Sequence, residues 1–253
     1  MPVLHALCCG RLRFDRSLFF PEHPPGDEMT VPVPSFLVVH PKGTLLFDTG
    51  VDCLAATDPQ RSLGRRLAGL FTMAGGTDES LPAQLARLGL DVGDITHVVN
   101  SHLHFDHCGC NALFPRAKFL LQRAELDAAR APGSHAHERS WNHPLDYRAL
   151  DGEHDVFGDG AVVLLPTPGH TPGHQSMRVR VSSDRNFLLA ADACYTQAHL
   201  DREIVPTAVW DTGQMIASMD ALRKLGERSD TELIFGHDAQ QWARMPQGPA
   251  QLS

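Results

Sequence analysis

The sequence predicts a layered α/β fold, and three observations carry that prediction. Short apolar runs rich in Val, Leu, Ile and Phe recur along the chain with the length and branching of buried strands. Between them lie stretches whose leucines and methionines recur at helical spacing, bounded by capping residues or glycine. The apolar runs also end, repeatedly, in a histidine or a carboxylate. Strand ends that meet at one edge of a β-sandwich can gather a polynuclear site from distant parts of a sequence. At 253 residues, 42% hydrophobic and 21% charged, the chain can bury a substantial core. One domain over 1–253 is expected, because no repeat and no linker interrupts it.

Residues 3–14 read as a first strand or hairpin. A Pro/Gly-rich loop carrying Leu18, Phe19 and Phe20 follows and ends near Glu28. Residues 36–40, the turn Pro41-Lys42-Gly43 and residues 44–48 form a hairpin that runs out into Asp48-Thr49-Gly50. Leu63, Leu67, Leu70 and Phe71 predict a short amphipathic helix. A cleaner helix opens at Ser80 as N-cap, runs through Leu81, Leu85 and Leu88, and stops at Gly89. Strands at 95–99 and 118–122 come next, then a short helix over 124–129. The polar, His-rich segment 130–154 reads as irregular, with His135, His137 and His143 as solvated loop residues. Strands at 159–165, 177–181 and 186–191 follow. A helix opens near Asp211, with Gln214 completing a capping box, and 233–235 is the last strand.

The formal net charge is −8 and there is no Lys/Arg-rich tract, which argues against a nucleic-acid partner and its need for a basic footprint. The cysteines (8 and 9 adjacent, 108 and 110 around one glycine, 53 and 194 alone) do not form a disulfide framework, so reduced thiols in a cytoplasmic protein are expected. The N-terminal stretch has no basic leader and no run reaches the length of a membrane span, so no membrane partner is expected. No residue pattern specifies an oligomeric state.

The 15 histidines exceed what structure alone usually asks for, and the chemistry concentrates in Ser101-His102-Leu103-His104-Phe105-Asp106-His107, directly after the strand at 95–99. His102 and His104, two apart on an extended chain, point the same way and can close on one ion. Asp106 and His107 follow a turn and diverge toward a second. Zinc accepts both imidazole nitrogen and carboxylate oxygen, which suits the mixture.

The motif His102-x-His104-x-Asp106-His107, with His170, Asp192 and His237 downstream, resembles the metallo-beta-lactamase superfamily. Within it, the stretches 101–107, Thr167-Pro168-Gly169-His170-Thr171-Pro172-Gly173-His174, Asp192-Ala193-Cys194-Tyr195-Thr196 and Phe235-Gly236-His237-Asp238 are similar to N-acyl-homoserine lactonases. The resemblance implies a four-layer αββα sandwich with two divalent metal ions per chain, Zn2+ by ligand type. His102, His104 and His170 would hold the first ion and Asp106, His107 and His237 the second, with Asp192 bridging both. A shared carboxylate and hydroxide would offset the repulsion of cations ~3.5–4 Å apart, and the metals would lower the pKa of water from ~15.7 toward ~7. Asp106 and Tyr195 are the catalytic candidates. Tyr195, three residues past Asp192, is placed to stabilise an oxyanion or to protonate a leaving alkoxide. His174 and Asp48 are expected to orient the ligands without binding metal.

The sequence departs from the lactonase pattern at Cys108-Gly109-Cys110-Asn111, where a small residue and two glycines are more usual. Cys110 in place of glycine predicts a strained or re-routed backbone, and Cys108 is expected to pack as a small apolar residue. The implied reaction is hydrolytic opening of a small-molecule lactone, first an N-acyl-homoserine lactone, and hence quorum quenching. The alternatives are another lactone such as 4-pyridoxolactone, or a non-catalytic metal-binding module on the same fold. A true β-lactamase is disfavoured because Asp192 stands where the commonest class has a cysteine ligand. An acyl tail is expected to lie on Leu18, Phe19 and Phe20 together with Leu67, Leu70 and Phe71.

Overall fold

The computed structural model describes residues 1–253. Strands β1 (Val3–Asp15), β2 (Glu28–His40), β3 (Gly43–Phe47), β4 (Thr72–Met73), β5 (His97–Val99), β6 (Lys118–Gln122) and β7 (Asp146–Leu150) build the first sheet. The second contains β8 (His154–Asp155), β9 (Val162–Pro166), β10 (Gln175–Ser182), β11 (Arg185–Leu189) and β12 (Thr231–Ile234). A two-residue strand, β13 (Gln251–Leu252), pairs with β1 and extends the first sheet. The helices are α1 (Pro59–Leu70), α2 (Leu81–Arg87), α3 (Arg123–Arg130), α4 (Glu138–Trp141), α5 (Gln197–Arg202), α6 (Thr212–Gly226) and α7 (Ala239–Arg244). None is long and apolar enough to cross a membrane.

The period-2 alternation of side chains along each strand makes the layers. Leu4 and Ala6, Val38, Leu45 and Phe47, Val99 and Leu120 point from the first sheet into the central core. They meet Val162 and Leu164, Met177 and Val179, Phe187, Leu189 and Ile234 of the second. The intervening Leu7, Leu37, Leu46, Val98 and Phe119 face outward and are covered by Leu81 and Leu85 of α2. On the far side, Leu188 and Ala190 are covered by Met215, Met219 and Leu222 of α6. The result is helix, sheet, sheet, helix, the four-layer αββα sandwich.

Topology brings the polar strand ends together. β3, β5 and β6 are mutually parallel, so Asp48 and the 101–107 loop leave the same end of the first sheet. β11 is parallel to β12 and separated from β9 by the antiparallel β10, so His170, Asp192 and His237 follow strands that run one way.

Several expectations need correction. The 130–154 segment is not irregular, since it holds α4 and the edge strand β7, which runs parallel to β6. Only one face of β7 is covered, so its hydrophobic alternation is weak. Ser80 does precede α2, but its side chain makes no capping bond. At α6, Asp211 accepts from the Gln214 N–H, whereas the Gln214 amide returns to the Asp211 carboxylate and not to its backbone, so no reciprocal box forms. The amphipathic helix α1 is present with a kink at Gly64.

Candidate metal centre

The histidine loop is hung on one buried carboxylate. Asp48, at φ +61 beyond the end of β3, accepts from the Ser101 N–H at 2.7 Å and the Ser101 hydroxyl at 2.8 Å. Its Oδ2 also lies 2.8 Å from His107 Nδ1, which turns Nε2 of that ring toward the cavity. His237 is fixed the same way, its Nδ1 donating to the Pro32 carbonyl at 2.8 Å. Asp48 therefore orients a ring and stands apart from the converging donors. His174 does too: its Nε2 accepts the Asp192 N–H at 3.1 Å, and its Nδ1 faces the Thr167 carbonyl at 3.1 Å.

All seven residues singled out as ligands converge, in two groups. His102, His104, His170 and Asp192 form one and Asp106, His107 and His237 the other, the donor atoms of each group lying within 4.8 Å of one another. In the first, His102 Nε2, His104 Nδ1 and His170 Nε2 are 2.9–3.2 Å apart pairwise. Asp192 joins the groups. Its Oδ2 is 3.3 Å from His170 Nε2 and 3.8 Å from His102 Nε2, while its Oδ1 is 3.2 Å from His107 Nε2 and 3.1 Å from His237 Nε2. Asp106 Oδ2 sits 3.8 and 3.9 Å from the same two nitrogens.

The donor set fits divalent metal. Three imidazole nitrogens in mutual contact have too few protons to satisfy one another, and their spacing approaches the edge of a tetrahedron with bonds of ~2.0–2.1 Å. His107 Nε2 and Asp192 Oδ1 are buried with no hydrogen-bond partner, a costly arrangement unless a cation sits between them.

The two groups differ electrically. Burial, then the neighbouring rings of His107, His104 and His170, push the His102 imidazole well below its ordinary pKa, and burial does the same to His170 against the pull of Asp192. Burial also opposes charge on His107 and His237, yet the carboxylates outweigh it. Asp192, Asp106 and Asp48 hold His107 well above the usual imidazole value, and Asp192 and Asp106 raise His237.

A family model described as the metallo-beta-lactamase superfamily matches residues 29–237. The chain belongs to the metallo-beta-lactamase superfamily. It is 34% identical over 233 residues to the N-acyl homoserine lactonase AttM of Rhizobium radiobacter, covering 88% of each chain. It is 31% identical over 238 residues to the N-acyl homoserine lactonase AiiA of Bacillus thuringiensis subsp. kurstaki, covering 94% of each. Its fold superposes with a TM-score of 0.89, at 29% identity and full coverage of both chains, on an N-acyl homoserine lactone hydrolase holding N-hexanoyl-L-homoserine at its catalytic metal centre. Superfamily membership and the two His/Asp groups together mark a divalent-metal site.

Around this metallo-beta-lactamase centre, Tyr195 is buried with its hydroxyl 3.2 Å from His170 Nδ1. With His170 Nε2 turned to the cluster, Nδ1 is the ring position that faces the phenol oxygen. Burial, then Asp192 and Asp106, push the phenol well above its ordinary pKa, so it stays neutral. A cluster of aromatic rings leads away from it, in which Phe14 and Phe105 are buried and Phe19 and Phe71 half-buried. Phe19 lies 4.2 Å from the Tyr195 ring and 4.6 Å from Phe14, and Phe71 bridges Phe14 and Phe105 at 5.3 and 5.1 Å. Phe20, expected in the same wall, is buried and packs on His199 at 4.6 Å, and Leu70 is exposed.

Sequence reasoning passed over Glu125. This fully buried carboxylate accepts from the Leu103 N–H at 3.0 Å, between His102 and His104, and from the Thr171 hydroxyl and Gly173 N–H at 2.7 and 3.1 Å, beside His170. Its fourth partner is His135 at 2.8 Å, so that histidine is a packed neighbour of His104 and not a solvated loop residue. Burial pushes Glu125 up, but His135, Thr171 and the Leu103 N–H outweigh it and lower its pKa. A Cβ on Gly173 would meet the Glu125 backbone nitrogen at 2.1 Å, which explains the glycine there. The signal was available: Glu125 shares the buried face of α3 with Leu126 and Ala129, an acid on an apolar stripe.

The expected strain at Cys110 is absent. Its φ of −100 and ψ of 14 are ordinary for a turn. Cys108 is fully buried among Leu103, Leu121, Leu126 and Trp141, and its thiol donates to the His104 carbonyl.

Proposed function

We propose that this chain is one domain over 1–253 that opens N-acyl-homoserine lactones by hydrolysis, and so removes a quorum-sensing signal. The observation that carries this reading is the single carboxylate of Asp192 facing two nitrogen sets, one oxygen to each, with a neutral phenol and an aromatic wall beside it. Similarity to AttM and AiiA supports the substrate class. Two zinc ions would be held, one by His102, His104 and His170 and one by Asp106, His107 and His237, with Asp192 shared. When bound, such ions supply Lewis acidity and draw the pKa of water from ~15.7 toward ~7.

The chain's own groups do the rest. The oxygen of water adds to the lactone carbonyl, the ring C–O bond breaks, and the ring oxygen takes up a proton as a hydroxyl. Tyr195 directs its phenol hydrogen to the carbonyl oxygen as charge gathers there. Asp106, the more exposed of the two cluster carboxylates, accepts the proton of the attacking water and returns it to the leaving oxygen. The half-buried rings of Phe19 and Phe71 receive the acyl tail and exclude water. Six free thiols support a reducing, cytoplasmic setting.

The test is a panel of lactones assayed by proton release on zinc-reconstituted protein. Turnover of acyl-homoserine lactones supports the reading. Inert acyl-homoserine lactones beside a rapidly opened compact aromatic lactone would replace it with hydrolysis of that class, and no turnover of any lactone would leave a metal-binding module.

A further inference from the structure

Two thiols meet outside the metal centre. Cys53 Sγ and Cys110 Sγ are 3.5 Å apart across a separation of 57 residues. A disulfide needs ~2.05 Å, so the gap closes with about 1.5 Å of sulfur movement, within reach of side-chain rotation. The backbones are already registered. Gly109 donates to the Gly50 carbonyl at 2.9 Å and Cys110 to the Thr49 hydroxyl at 3.2 Å. A Cβ on Gly109 would meet the Asp52 nitrogen at 2.2 Å, so the two loops run in van der Waals contact.

Burial and a carbonyl acceptor do not set the pair apart, since the Cys110 thiol itself donates to the Val51 carbonyl at 3.2 Å; what sets it apart is a second sulfur 3.5 Å away. Cys8, Cys108 and Cys194 are buried and donate to the Gly10, His104 and Thr196 carbonyls, and Cys9 is buried inside the sheet. Cys53 is the one cysteine that is only half buried, so it is the sulfur an oxidant reaches. The Cys110 thiol beside it lowers its pKa, while Cys110, buried and facing Cys53, is held well above the usual thiol value.

We propose that Cys53 and Cys110 are an oxidation site, a dithiol that hydrogen peroxide converts to an intramolecular disulfide. The Cys53 thiolate attacks one peroxide oxygen, the O–O bond breaks, and with a proton from solvent one water leaves, giving the Cys53 sulfenic acid. Cys110 sulfur then attacks Cys53 sulfur, its proton departs with the displaced hydroxyl as a second water, and the S–S bond forms. The two thiols lose two electrons and peroxide gains them. The bond straps the turn after Asp48 to the end of the histidine loop without using any metal ligand.

The experiment treats metal-loaded protein with peroxide, alkylates it under denaturing conditions and maps the peptides. Expected are a linked pair of peptides containing Cys53 and Cys110, alkylated cysteines at the other four positions, reversal by dithiothreitol, and a melting temperature higher by about 5–10 °C. In Cys110→Ser, Cys53 should instead be trapped as a sulfenic acid by dimedone, whereas Cys53→Ser should leave Cys110 unoxidised. Free thiols at 53 and 110 after peroxide, or a cross-link through Cys9 or between chains, would overturn the proposal.

Discussion

The two donor groups share Asp192 but are supported in opposite ways. The first is crowded with nitrogen: three rings within 3.2 Å, neutral by burial, on loops clamped together by Glu125. The second is rich in carboxylate, with Asp106 and Asp192 facing two rings that Asp48 and the Pro32 carbonyl hold from behind. The difference teaches that two adjoining donor groups need not be built symmetrically. One half depends on pushing neutral donors together, the other on concentrating negative charge, and a single acid serves both.

The comparison breaks most completely at Asp192. Asp192→Asn should empty both halves and cost at least about a thousandfold in turnover, ~4 kcal/mol, because an amide cannot offset two adjacent cations. Metal per chain measured by elemental analysis, with turnover, checks this. Retention of one tightly held ion would mean that the halves are independent.

Tyr195→Phe should leave metal content unchanged and slow lactone opening by roughly ten- to a thousandfold, ~1.4–4 kcal/mol. Unaltered turnover would reduce Tyr195 to a packing residue.

Glu125→Gln sharpens the contrast. It should weaken metal retention by about ten- to a hundredfold in the first half alone, since the carboxylate ties only the loops of His102, His104 and His170. Thr171→Val, which removes one of its four donors, should fall between. Competition with a chelator should then show one easily stripped ion and one unchanged, and equal loss of both would contradict the asymmetry.

The smallest effects on turnover belong to the aromatic wall. Phe19→Ala should flatten the gain in kcat/KM with acyl length, at most ~0.8 kcal/mol for each methylene that loses contact. Phe20→Ala should instead cost about 3 kcal/mol of stability and leave chain preference alone, because its ring is buried against His199.

Much of this was legible in the sequence because it is local. An apolar run followed by a polar strand end needs only neighbours to be read, and all five such ends reach the site. Glu125 was missed because its role depends on Thr171 and Gly173, 46 and 48 residues away. Likewise β7 was hidden because its partner β6 and exposed outer face leave little periodicity, and Phe19 and Phe20 look alike until the side of the loop is known.

The Pro32–His237 hydrogen bond spans 205 residues, and that span has a temporal meaning. During synthesis the donors of the first half are all present once β11 and Asp192 have emerged, whereas the second half waits for β12. At ~5–20 residues per second the interval is a few seconds, in which every donor of the nitrogen-rich group has been synthesised and the acidic group still lacks His237. The order in which donors become available is thus written into the strand order, and the crowded half is first to be offered to a metal.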